Sequence, residues 1–189
     1  MRPISNYDSV QATDGEFKRP GNGGYILEIV DVKDVPLDPM TQKGDYLKIS
    51  YDICYGDFKG YYSKQNERFG GDWLANFIRS YKEKALGMFK HFTNCVEASN
   101  NGYKWNWNER SLVRKIFGAV MQEEEYQKSD GSVGVRLIVK EVKTVKQIME
   151  GDFKVPHTKK LERVENNGYS QPNYAAVNVD GLDDDLPFI

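Results

Sequence analysis

Between Leu112 and Val145 lie two long runs rich in Val and Ile, LVRKIFGAVMQEEEYQ and SVGVRLIVKEVKTV, joined at KSDGS. The Asp130-Gly131 step supplies the left-handed backbone that a tight hairpin turn needs, and the flanking composition suits strands. A chain with such a hairpin is committed to an antiparallel sheet, which constrains its fold more than any other segment does. In the second run Val133, Val135, Leu137 and Val139 read as the inward set, with Arg136, Ile138 and Lys140 pointing the other way.

The remaining strands are read upstream. YILEIVDVKDV, Tyr25–Val35, is one; the proline-containing PLDPMTQKGD then forms a loop. YLKISYDICY alternates, with Leu47, Ile49, Tyr51 and Ile53 on one face and Tyr46, Lys48, Ser50 and Asp52 on the other. A turn at Gly56-Asp57 leads into FKGYYSK, read as the returning arm of a hairpin and the third strand. In GGDWLANFIRSYKEKALGMFKHF the period changes: Trp73, Phe77, Tyr81, Ala85, Met88 and Phe92 recur at helical spacing behind Asp72 as N-cap. The basic segment DFKVPHTKKLERV reads as one short docked helix. The expected fold is mainly β: a five-stranded OB-fold Greek-key barrel with a helix between strands three and four. A flexible arm over 1–23, a barrel domain over 24–164 and a disordered linker with an acidic tip over 165–189 complete the organisation.

The formal charge of −2 conceals an asymmetry: from Glu165 to Ile189 there are five acids and no Lys or Arg, so without them the body carries +3. The body is mildly basic and its end acidic. With two cysteines, Cys54 and Cys95, no disulfide framework is expected, and a reducing interior is the expected home. The N-terminal residues have no apolar run of a signal peptide, and no stretch reaches membrane-spanning length.

A catalytic constellation is not evident. GNGG lacks the Lys-Ser/Thr partner of a phosphate loop. His91 and Cys95 stand four apart on a helix, but Cys54, His157 and carboxylates would have to converge on them to hold a metal, so a helix-end histidine and a buried cysteine are expected. Glu123, Glu124 and Glu125 alternate faces in a strand, and a solvated strand end is expected there rather than a nuclease centre. No cofactor, metal or enzyme activity is expected.

Single-stranded nucleic acid is held by flat rings that stack on bases and by cations that follow phosphates. In an OB-fold the ligand crosses strands two and three between the loops joining strands one–two and four–five. Residues of those types lie in those regions: Tyr46 and Lys48 on strand two; Tyr61, Tyr62 and Lys64 on strand three, with Arg68 beyond; Lys43 and Lys128 on the loops; Arg136 and Lys140 on strand five. Because Tyr61 and Tyr62 are adjacent, one of them should face the core. Trp105 and Trp107 are base platforms or a lid over the barrel end, with the lid slightly favoured.

The chain ends in GLDDDLPFI. DDDLPF, Asp183–Phe188, resembles the C-terminal tip of bacterial and phage single-stranded-DNA-binding proteins. The body, above all GAVMQEEEYQKSDGSVGVRLIVKEVKTVKQIMEGDFKVP, resembles phage-encoded single-strand-binding proteins of replication and recombination modules over roughly residues 20–160. The resemblance implies a barrel that coats single-stranded DNA in the bacterial host cytoplasm, alone or as a homo-oligomer. It also implies a tip that recruits replication or repair proteins: Phe188 enters an apolar pocket, Pro187 and Leu186 support it, and Asp183, Asp184 and Asp185 meet a basic rim. Tips of that family stop at the Phe, whereas here Ile189 follows and displaces the terminal carboxylate by one residue. The alternative reading is an adaptor or decoy that engages host replication proteins through its tail and binds no DNA.

Overall fold

In the computed structural model residues 18–161 are described; the tip residues Asp183–Phe188, the 165–189 linker and most of the 1–23 arm lie outside them. The described chain is mainly β. Strands β1 (Gly23–Val35), β2 (Tyr46–Ile53), β3 (Asn76–Ser80), β4 (Ile116–Gln127) and β5 (Val133–Lys143) form one antiparallel sheet in the order β3-β2-β1-β4-β5. Helices α1 (Tyr61–Phe69), α2 (Leu86–Ser99) and α3 (Val145–Met149) follow β2, β3 and β5 respectively.

β1 is long enough to serve two neighbours. Its N-terminal half pairs with β4, from Gly23 opposite Met121 to Glu28 opposite Ile116, and the stretch from Leu27 to Val35 pairs with β2. A register shift between Ile29 and Asp31 lies in the β1–β2 ladder, an irregularity of the kind that bends a strand and increases its twist. The core lies on one side of the sheet, where Leu27, Ile29, Leu47, Ile49, Tyr51, Ile53, Phe117, Ala119 and Met121 are all buried. α2 closes over them with Phe89, Phe92, Cys95 and Val96. Phe92 meets Phe77 and Phe117 edge-on at 5.6 Å in each case, a favoured arrangement of aromatic quadrupoles.

The β4–β5 hairpin forms where expected, with Asp130 accepting from the Ser132 amide at 2.9 Å and Gly131 at φ 81°. The alternation of β2 also holds, with Leu47, Ile49, Tyr51 and Ile53 inward. Four expectations are corrected. FKGYYSK is no strand: Tyr61 opens helix α1. The glycines of RFGGDW end that helix instead of preceding another. Gly70 sits at φ 66° and its amide bonds to the Asn66 carbonyl at 2.8 Å, the left-handed stop that glycine permits at least cost. The third strand is Asn76–Ser80, inside the segment read as a helix. It pairs with β2 from Ser50–Asn76 to Tyr46–Ser80, so the unfilled hydrogen bonds of β2 outweighed a helical period that continued only by coincidence. The helix therefore starts at Leu86, its stripe is Phe89, Phe92 and Val96, and Met88 is exposed. In β5, Val133 and Val135 are exposed, because the hairpin there runs past the end of β1 at Gly23 and has no core beneath it. Finally, no helix lies within 152–161. Lys159 bridges to Glu124 in parallel, donating to the Glu123 carbonyl and accepting from the Glu125 amide, each at 2.8 Å. Among the described residues no helix is long and apolar enough to cross a membrane.

Candidate nucleic-acid interface

Helix α1 has no side-chain cap of its own at Gly60. Asp52, buried at the end of β2, supplies one. Its carboxylate accepts from the Tyr62 amide at 3.0 Å, the Ser63 amide at 3.1 Å, the Ser63 hydroxyl at 2.5 Å and the Ile53 amide at 2.8 Å. This satisfies amide donors that a helix N-terminus leaves open. It also sets how the helix meets the sheet.

Tyr62 turns inward on that helix, edge-on to Tyr51 at 5.7 Å. Burial, followed by the neighbouring Tyr61, pushes its phenol well above the ordinary value. Tyr62 is thus the one of the two adjacent tyrosines that packs on Tyr51 of the core, a half-buried position. Tyr61, Lys64, Gln65, Arg68 and Phe69 recur at positions i, i+3, i+4, i+7 and i+8 and form one stripe. With Lys18, Asp57, Phe58 and Lys59 they line a cleft of about 360 Å³. Four cations and three aromatic rings face it against the single carboxylate of Asp57. Phe69 is 70% exposed with the Arg68 guanidinium 5.2 Å from its ring centre. Phe58 and Tyr61 stand edge-on at 6.3 Å. Burial raises the Tyr61 phenol and the nearby Arg19 charge opposes the rise.

Tyr61, Lys64 and Arg68 thus converge, through a helix and not through the strand expected of them. Lys18, Phe58, Lys59 and Phe69 were missed. The helical spacing of 61, 64, 65, 68 and 69 is visible in the sequence, but it is legible only once the segment is known to be a helix.

The other expected contacts lie elsewhere. Tyr46 and Lys48 are half-buried on the side of β2 away from the core. Lys43, Lys128 and Lys140 are exposed, on the β1–β2 loop, the β4–β5 turn and β5. Trp105 packs on Phe89 at 6.1 Å and Trp107 lies 6.0 Å from Trp105. Trp105 is half-buried against α2, while Trp107 is 82% exposed at φ 64°, a left-handed conformation uncommon for such a residue.

Arg136 has a structural task. Its Nε and Nη2 donate to Glu124 Oε2 at 3.0 and 2.8 Å, and Lys159 Nζ donates to Oε1 at 2.7 Å. Glu124 is buried, which corrects the expectation of a solvated strand end. Burial alone would raise its carboxyl; the bonds from Lys159 and Arg136 outweigh this and hold its pKa below the usual glutamate value. A depressed folded pKa contributes stability that is complete above the unfolded value of about 4.3 and is lost as pH falls through the folded one. Thermal melts of Glu124→Gln are therefore expected to show a lower midpoint at pH 7 and a smaller further drop than the parent below about pH 4. Equal acid sensitivity in both proteins would refute this account of the trio.

Cys95 Sγ lies 3.6 Å from His91 Nε2, which itself faces the Val142 carbonyl at 3.0 Å. Among the described residues no group of three or more His, Cys, Asp or Glu side chains is placed to hold a metal. No protein-family model matches the chain, and comparison with curated proteins finds no match.

Proposed function

We propose that this protein binds single-stranded DNA without catalysis, as a phage-type single-strand-binding protein of replication or recombination whose C-terminal tip recruits partner proteins. The observation that carries the reading is the α1 cleft, in which Lys18, Lys59, Lys64 and Arg68 surround Phe58, Tyr61 and Phe69. Rings that accept a base face without regard to its identity, set among cations that meet phosphates, are what a single strand requires. Stacking contributes about 1–3 kcal/mol per base, so two or three rings suffice for useful affinity. The fold we assign is the OB-fold. The order β3-β2-β1-β4-β5, with α2 between β3 and β4, supports a five-stranded Greek-key barrel unrolled between β3 and β5.

The test is fluorescence anisotropy of the full chain with labelled oligo-dT across a salt series. Binding is expected, with log K falling against log salt by about 0.7 for each phosphate contacted. Deleting Asp180–Ile189 is expected to keep or raise affinity at low salt, because five of the chain's acids lie from Glu165 onward and four of them go with the deletion. Capture of replication proteins is expected to disappear with it. No binding at low salt would reject the reading in favour of an adaptor acting through its tail.

A further inference from the structure

The ladder between β1 and β2 puts Lys33 directly opposite Lys48. Both lie on the side of the sheet away from the core, since their neighbours Val32 and Ile49 are buried and successive side chains alternate. Directly opposed residues hold their Cβ atoms about 4.5–5.5 Å apart, and like charges so placed destabilise a sheet. Nothing described relieves this pair. Next to Lys48 on the other side is Ile78 of β3. The same-face neighbours along the strands are Asp31 and Val35 beside Lys33, and Tyr46 and Ser50 beside Lys48. Asp31 is the one carboxylate among these five neighbours, and no ion pair joins it or any other described carboxylate to either lysine.

The same face runs on to Asp52, four residues past Lys48, or about 13 Å at the strand rise. There Asp52 holds the first turn of α1. The opposed lysines and Asp52, the residue that anchors α1, therefore lie along one face of β2.

We propose that Lys33 and Lys48 together form an anion site for the sugar–phosphate backbone of single-stranded DNA as it leaves the α1 cleft. The bases stack in the cleft and the phosphates continue along β2 to the lysine pair, where a shared phosphate relieves their repulsion. The proposal rests on the single-strand-binding reading above. It adds Lys33, a residue of β1 that lies outside the surface an OB-fold would suggest.

The experiment compares the full chain with Lys33→Gln/Lys48→Gln and Lys33→Arg/Lys48→Arg, by oligo-dT anisotropy over a salt series and by thermal melting without DNA. The glutamine pair is expected to lower the log K against log salt slope by about 0.7, the share of the one phosphate held between the two lysines. Its melting midpoint should rise or hold, because a repulsion has been removed. The arginine pair keeps the charges and should keep the parent slope. A parent that binds while the glutamine pair retains its slope overturns this inference and leaves the function standing. A reduced slope accompanied by a lowered midpoint also overturns it, since the lysines would then be structural. A parent that fails to bind removes both.

Discussion

Replacing Asp52 with alanine is expected to destabilise the protein by about 3 kcal/mol, read as a fall in the urea midpoint with little change in slope. The side chain is buried, and the substitution orphans the Ile53, Tyr62 and Ser63 amides and the Ser63 hydroxyl together. Each bond to a charged acceptor contributes about 1.5–3 kcal/mol, but the four share one carboxylate and do not add fully. Because Asp52 joins β2 to α1, the loss should be local as well as global. Oligo-dT affinity is expected to fall even where circular dichroism shows the sheet intact, since the cleft depends on the orientation of α1. Ser63→Ala removes only the hydroxyl and should cost about 1 kcal/mol. If Asp52→Ala costs no more than Ser63→Ala, packing of Tyr61 and Tyr62 holds the helix and the carboxylate is secondary.

Reversing two charges in the cleft, Lys64→Glu with Arg68→Glu, is expected to lower oligo-dT affinity at least about 100-fold at low salt. Each lost contact removes roughly a factor of ten, or about 1.4 kcal/mol, and the new carboxylates repel the strand besides. Both side chains are exposed on one helix face, so the melting midpoint should change little. The same reversal at Lys128 and Lys140, exposed on the β4–β5 turn and on β5, serves as the comparison. If the two pairs of substitutions weaken binding equally, attraction is spread over the surface and the cleft is not the site.

Much of the sheet was legible in the chain. Asp130-Gly131 and the runs around it define the β4–β5 hairpin through backbone preferences that act within a few residues. The face of Leu47, Ile49, Tyr51 and Ile53 follows from strict alternation, which matches only the strand period. Those signals are local, so they survive without knowledge of the rest of the fold. The acidic end of the chain is equally plain, being a matter of composition.

Between Phe58 and Ala85 the reading failed, and for one physical reason: the competing signals there are decided at long range. FKGYYSK has aromatic content that suits a strand, yet it becomes a helix because Asp52, on the strand before it, caps it in space. ANFIRSY has spacing that suits a helix, yet it becomes a strand because β2 needs a partner for its outer edge. Short segments cannot resolve such ambiguity, since nucleating a single helical turn is unfavourable and packing supplies most of the stability. The candidate site inherits the same division. The sequence by itself determined that aromatics and cations are concentrated around Tyr61, Lys64 and Arg68. Only the tertiary structure decided that a helix stripe brings them together with Lys18, Lys59 and Phe69, that Tyr62 and Arg136 serve packing and pairing, and that Lys33 faces Lys48. Those outcomes depend on caps, registers and ion pairs between residues far apart in the chain, and no local preference encodes them.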